Sequence, residues 1–236
     1  MIENNTVIKK LALYIDIEGF GNKIKNGEKN PFIDLTNDLY FLGRSHLSYL
    51  SIIQFGGDGF LIKENVKYYN KISRFIDLSA ALLQIITIRG GAAQVKISHG
   101  YMYDISGLYS DEIQKEIKDN NQNILGGTNY NVMLINPVIG TSIINCYKLK
   151  GPKGPLLLVD KHLREMVDSE SILYETYEEY EVLSINWLNH RNENTERYLQ
   201  HLNLNSDNIK ETLIAYINNN NELKTEWKEN AWKLIG

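Results

Sequence analysis

The sequence predicts a mixed α/β domain over residues 1–185, followed by a helical extension over 186–236. Three observations predict it. Ile8 to Ile17 is an apolar strand pattern that closes on an acid, Asp16. A second apolar run is broken by Gly56, Gly57, Asp58 and Gly59 and resumes at Phe60, which reads as a hairpin with an acid at its tip. Between and after such runs, apolar residues recur at helical spacing.

The elements follow in order. In Ile8–Ile17, Leu11, Leu13 and Ile15 alternate with Ala12, Tyr14 and Asp16, so both faces carry apolar groups, as in a buried central strand. Residues 32–46 read as a short helix that Gly43 ends. Leu47 to Phe55 and Phe60 to Ile62 are the arms of the hairpin. Asn65 to Ile86 reads as a long helix, with Val66, Tyr69, Ile72, Ile76, Leu83 and Ile86 on one stripe. Strands are expected around Ile86–Arg89 and Val95–Ser98, then a charged surface helix over Tyr109–Gln122. Ile124 to Asn131 reads as a polar loop, Ile143 to Leu149 as a helix, Leu156 to Val159 as a strand, and Glu178 to Leu183 as a last strand. From Asn186, Asn-rich stretches alternate with Leu199, Leu202, Ile209, Leu213, Ile217, Trp227 and Trp232, the pattern of two or three amphipathic helices.

Composition narrows the classes. The chain has 236 residues, 43% of them hydrophobic, enough for one core. A net charge of -4 gives no global attraction to nucleic acid or to anionic membranes. No apolar run reaches the roughly 18 residues of a membrane span, and the N-terminus lacks a signal-peptide core. One cysteine, Cys146, forms no internal disulfide and no zinc site. The expectation is a soluble, cytoplasmic protein. The five histidines show no metal spacing, His99 reads as structural, and the three tryptophans read as a packed helical face.

Asp16 and Asp58 are the candidate site. Burying an unpaired carboxylate is costly, so an acid closing an apolar strand is not there for packing. Two such acids on adjacent strands converge on hard cations, and Mg²⁺ and Mn²⁺ take oxygen ligands from carboxylates and triphosphates together. The neighbouring glycines let backbone N–H groups approach phosphates. GGDG is also a good turn sequence; the Tyr14–Gly21 run upstream is what favours a ligand role for Asp58.

Tyr14-Ile15-Asp16-Ile17-Glu18-Gly19-Phe20 resembles the opening motif of the class III adenylate and guanylate cyclases, an aromatic-x-Asp-Ile-x-Gly-Phe run. Phe55-Gly56-Gly57-Asp58 resembles their hairpin with the second metal-binding Asp, and Val138–Ile144 through Lys148–Leu149 resembles their downstream glycine and helix. The resemblance spans about Leu11 to Val159. It implies an α+β, ferredoxin-like cyclase fold of βαββαβ type, with a mostly antiparallel sheet and helices on one face. It implies two divalent cations, Mn²⁺ or Mg²⁺, on Asp16, Asp58 and the Ile17 carbonyl. It implies that Ile17, Glu18, Gly19, Phe20 and Gly21 hold the phosphates, assisted by Arg89 or Lys148, and that two copies of the chain form a homodimer.

The departures concern the base. The purine-reading position six residues before the second Asp is Ile52, and its partner three residues before the glycine is Pro137. The family's transition-state Asn falls on Ile144, beside Asn145, and its Arg falls on Lys148. In this the chain resembles the pyrimidine cyclases of the bacterial Pycsar antiphage system. Ile88-Arg89-Gly90-Gly91 and the Trp-bearing C-terminal tail are also similar. That resemblance implies UTP or CTP as substrate and a cyclic nucleotide that acts on a separate effector, with no nucleic acid or membrane as partner. The competing readings are a GGDD-type palm synthase, a non-catalytic nucleotide-binding domain, and an adenylate or guanylate cyclase with rebuilt base recognition.

Overall fold

Strand β1 (Ile8–Ile17) organises the sheet, because its two sets of side chains enter two different cores. The computed structural model describes residues 8–19, 31–47, 50–55, 59–64, 71–120, 124–126, 132–134, 138–167 and 173–236. Within these, β1 pairs antiparallel with β3 (Gly59–Glu64) on one side and with β4 (Ala93–Asp104) on the other. β2 (Leu50–Phe55) pairs antiparallel with β3. Beyond β4, the sheet continues through β8 (Leu157–Asp160), β10 (Val182–Ile185) and β9 (Leu173–Tyr177). β4 runs parallel to β8 at Val95–Ile97 and pairs antiparallel with β7 (Val138–Gly140) at its far end. β5 (Ile124–Gly126) and β6 (Val132–Leu134) form a separate two-stranded ribbon. The open, mostly antiparallel α/β sheet is therefore as expected.

The first face of the sheet carries the main core. Leu11, Leu13, Ile15 and Ile17 pack with Leu35, Leu39 and Leu42 of α1 (Pro31–Ser45) and with α2 (Ile72–Ile88). Every residue of α2 from Phe75 to Thr87 is buried, the signature of a helix enclosed on all sides. What encloses its outer side are α5 (Glu193–His201), α6 (Ile209–Asn219) and α7 (Thr225–Ile235), whose Leu199, Leu213 and Trp227 belong to the same core. The Asn192 side chain starts α5 by accepting the Thr195 N–H at 3.0 Å. Buried Gln84 ties α2 to the chain after β10 by donating its Nε2 to the Trp187 carbonyl at 2.9 Å.

The expected one-sided helix layer describes α1, α2 and the C-terminal helices. One helix, α4 (Thr141–Lys148), lies on the second face, where Cys146 and Ile143 pack with Ala12, Tyr14, Leu61 and Met102. The surface helix α3 (Asp111–Asn120) sits where the charge pattern placed it.

Several element boundaries differ from expectation. Ile86–Arg89 is not a strand: it is the last turn of α2, with Arg89 N–H on the Ile85 carbonyl at 3.0 Å and Gly91 N–H on Ile86 at 2.9 Å. The apolar run ALLQIITI fits strand and helix equally, and the glycines act as a C-cap instead of a strand break. α2 starts at Ile72, while residues 65–70 lie outside the described set. Gly43 does not end α1, which runs on to Ser45. Leu47 is a buried residue outside any strand, and β2 begins at Leu50. Part of the expected 124–131 loop is strand β5. Glu178–Tyr180 is a 3₁₀ turn, and the strand follows it at Val182. No helix among the described residues is long and apolar enough to cross a membrane.

Candidate functional site

The register of β1 sets the site. Asp16 is opposite Gly59 of β3 and opposite Gln94 of β4. Alternation puts it on the second face with Tyr14, half-buried where the strand ends. Gly59 is required there: a Cβ would lie 2.6 Å from the Ile15 carbonyl oxygen, closer than any side chain tolerates. Asp58, Phe20 and Gly21 lie outside the described residues, so of the proposed metal acids Asp16 is the described one.

After Asp16 the chain leaves the sheet. The Glu18 N–H donates to the Ala92 carbonyl at 2.9 Å, and Gly19 turns with φ at 71°, the left-handed region that glycine adopts freely. The Glu18 carboxylate accepts a hydrogen bond from Trp227 Nε1 at 2.9 Å. Burial pushes the Glu18 carboxyl above its ordinary value, and the charge of Asp16 adds to the rise, while the Trp227 bond works against it.

Two lysines bring positive charge to the acids. Lys96 of β4 is half-buried; burial pulls its pKa down, and the Asp16 carboxylate partly restores it. Lys153 is close enough to affect both Lys96 and Glu18. It sits in the loop Lys150-Gly-Pro-Lys-Gly-Pro155, which Gln94 holds through its Nε2 on the Pro152 carbonyl at 2.7 Å. Lys96, Lys153, Gln94 and Trp227 were not picked from the sequence. Lys153 carried a signal, a lysine between two Gly-Pro turns; Lys96 carried only a charge inside an apolar strand.

The remaining predicted residues are elsewhere. Arg89 is committed to α1, with NH2 on Asp38 Oδ1 at 3.1 Å and Nε on Oδ2 at 3.3 Å; Asp38 is buried. This fork raises the arginine's pKa, and it ties α1 to the end of α2 rather than reaching Asp16. Lys148 is exposed at the end of α4 and lines a cleft of about 480 Å³ with Asn145, Asp160, His162 and Tyr180. Asn145 donates to the His99 carbonyl at 3.0 Å. Ile52 pairs with Ile62 of the main core and lines a groove of about 450 Å³ against α1. By register the β2 residues on the face of Asp16 are Ser51, Ile53 and Phe55, and Ile53 packs with Tyr14 and Leu61, so Ile52 is on the opposite face from Asp16. Pro137 lies outside the described residues.

An oxygen-only donor set of carboxylate and strand-end carbonyls suits Mg²⁺ or Mn²⁺ rather than a soft metal. Among the described residues no group of three or more His, Cys, Asp or Glu forms a metal cluster. The described part of the site is therefore two carboxylates, Asp16 and Glu18, with Lys96 near the first and Lys153 near the second, an arrangement that can take one hard cation together with an anionic, phosphate-like ligand.

No protein-family model matches the chain, and no curated protein matches it. Solved structures do resemble it. The guanylyl cyclase Cya2 has 11% identity and a TM-score of 0.43 over 76% of this chain and 92% of its own. The adenylyl cyclase CyaB from P. aeruginosa has 11% identity and a TM-score of 0.43 over 70% and 83%. The guanylate cyclase domain of RhGC from Catenaria anguillulae, in complex with GTP, has 10% identity and a TM-score of 0.42 over 75% and 93%. At these scores the likeness is one of chain path, and the functional reading below rests on the residues.

Proposed function

We propose that the chain is a nucleotidyl cyclase that converts a nucleoside triphosphate to its 3′,5′-cyclic monophosphate and pyrophosphate. The observation that carries this reading is Asp16 at the end of β1, facing a required glycine, with Lys96 two residues along the paired strand from its opposite residue Gln94 and near enough to feel its charge. The ribose 3′-oxygen attacks the α-phosphorus, its proton passes to solvent, and the bond from the α-phosphorus to the bridging oxygen breaks to release pyrophosphate. Asp16, Asp58 and the Ile17 carbonyl would hold two divalent cations, which when bound would lower the 3′-hydroxyl pKa and neutralise the triphosphate. The Glu18 N–H is held by Ala92, so in this reading the backbone N–H groups offered to the phosphates are those of Gly19, Phe20 and Gly21. Lys96 and Lys153 supply the positive charge that the sequence reading had assigned to Arg89 or Lys148. The active form is a homodimer, and the helices of 186–236 belong to the same chain as an extension of the catalytic domain.

The substrate in this reading is UTP or CTP. Ile52, at the purine-reading position by motif spacing, carries no hydrogen-bonding side chain, and Pro137 cannot supply one either. A site without those groups lacks the buried hydrogen bonds that select a purine. The product is a second messenger for a separate effector in antiphage defence.

Competition among ATP, GTP, CTP and UTP with Mn²⁺, read by mass spectrometry of products, tests this directly. A 3′,5′-cyclic pyrimidine monophosphate as the dominant product is expected. A cyclic purine product overturns the substrate assignment, and linear or cyclic oligonucleotides overturn the cyclase itself in favour of a palm synthase. Lys96→Ala and Lys153→Ala are each expected to weaken triphosphate affinity about tenfold, the size of one charge-assisted contact. Titration of each variant with Mn²⁺ and UTP or CTP measures it; an affinity unchanged in both removes the lysines from the site.

A further inference from the structure

The C-terminal helices hold both chain segments that flank Asp16. On the β1 side, Trp227 of α7 is 3% exposed and donates its indole N–H to Glu18, two residues after Asp16. Tyr216 of α6 stacks obliquely on Trp227 with centroids 6.0 Å apart, and its hydroxyl is the atom nearest to where a Gly19 side chain would begin, at 3.9 Å. On the β4 side, α7 grips the loop that carries Lys153. The Lys153 N–H donates to Glu226 at 3.1 Å, and Asn230 Nδ2 donates to the Lys153 carbonyl at 2.7 Å. Gly154 is pressed against the same helix, since a Cβ there would come 3.0 Å from the Cβ of Asn230.

A core tryptophan satisfies its N–H on whatever acceptor is near, and most often that is a backbone carbonyl, as Trp187 does here with Pro155 at 2.6 Å. Trp227 instead uses a carboxylate on the turn after the site's acid, a contact between residues 209 positions apart. One helix thereby sets the position of the turn proposed to receive phosphates and of the lysine proposed to face them.

We propose that α7 is a positioning clamp, in which Trp227 fixes the Glu18–Gly19 turn and Glu226 with Asn230 fixes the Lys153 loop. The C-terminal helices then set the affinity of the site for its metal–triphosphate ligand without touching the reacting atoms. What is bound rests on the cyclase reading; what is held rests on the geometry alone.

Hydrogen exchange on the ligand-free full chain reads the clamp without any activity. Trp227→Phe keeps the aromatic ring and removes the donor. It is expected to raise exchange in the peptide over residues 16–19 about tenfold while that of α2 stays unchanged. The surface variant Glu226→Ala is expected to do the same at the Lys153 amide, and it tests the clamp even if Trp227→Phe does not fold. In turnover of UTP or CTP with Mn²⁺, Trp227→Phe is expected to raise KM about tenfold with kcat within about twofold. Unchanged exchange in both variants overturns the clamp. Raised exchange with an unchanged KM overturns its effect on affinity. A wild-type chain that neither binds nor turns over any triphosphate overturns the cyclase reading, and the exchange result still decides the clamp.

Discussion

Asp16→Asn is expected to reduce triphosphate turnover by about 10³-fold or more, roughly 4 kcal/mol of transition-state stabilisation at about 1.4 kcal/mol per tenfold. The substitution keeps the shape of the side chain and removes the charge on which both the cation and its phosphate ligand depend. Asp16 lies at a strand end, half-buried, with no apolar packing to lose, so the fold should not suffer. Burial and the charge of Asp16 act in the same direction on Glu18. Taking that charge away relieves repulsion with Glu18 and removes attraction to Lys96, two effects of opposite sign, and the melting temperature of Asp16→Asn should stay within a few degrees of the wild type, a difference of about 1 kcal/mol. Steady-state turnover with Mn²⁺, paired with Mn²⁺ titration and a thermal melt, separates these effects. A folded variant that keeps more than a tenth of wild-type turnover would remove Asp16 from the chemistry. Asp58→Asn should behave alike if the two acids act together, and the double variant should then be little worse than either single one.

The part of this site that could be read in advance is the part built from local sequence. The alternation of Leu11, Leu13 and Ile15 with Ala12 and Tyr14 requires a central strand, and the acid that closes it is visible because it breaks the apolar pattern. The glycine that opens β3 is visible for the same reason. The rest depends on contacts between distant segments. Lys96 looks like a charge in the wrong place until the strand register puts it beside Tyr14 and near Asp16. Trp227 looks like one more apolar position of an amphipathic helix until α7 docks and brings its N–H to Glu18. Arg89 is held on Asp38 because residues 86–89 continue a helix instead of forming the expected strand, and the helix delivers the side chain to α1. A strand repeats about every 2 residues and a helix about every 3.6, so reading one for the other changes which side chain faces which neighbour.

The same docking that creates the clamp is expected to make Asp77 the most sensitive polar residue of the fold. Asp77 is 5% exposed in α2 and accepts from His190 Nε2 at 2.7 Å, Asn192 Nδ2 at 2.6 Å and Asn194 Nδ2 at 2.8 Å. These three side chains lie on the segment that leads from β10 into α5, so one carboxylate anchors the start of the whole C-terminal helical layer. Burial by itself would raise the Asp77 pKa, but the bonds from His190, Asn192 and Asn194 outweigh it and hold the carboxyl below its ordinary value. Asp77→Ala removes the buried acceptor shared by three half-buried or exposed donors, a loss of about 3 kcal/mol. For a chain of this size that is about 6–12 °C in melting temperature. The sign of the pH effect follows from the depressed pKa. The stability that the carboxylate contributes is complete above its unfolded value near 4, and it is lost as pH falls through the lower folded value. Urea unfolding of wild type and Asp77→Asn should therefore show the largest gap at pH 5 to 7 and a narrowing gap toward pH 3. A gap that stays constant over that range would mean the site is held by packing and not by the charge. Because α7 rests on the same layer, Asp77→Asn at neutral pH should also raise exchange at residues 16–19, linking the stability of α2 to the order of the turn after Asp16.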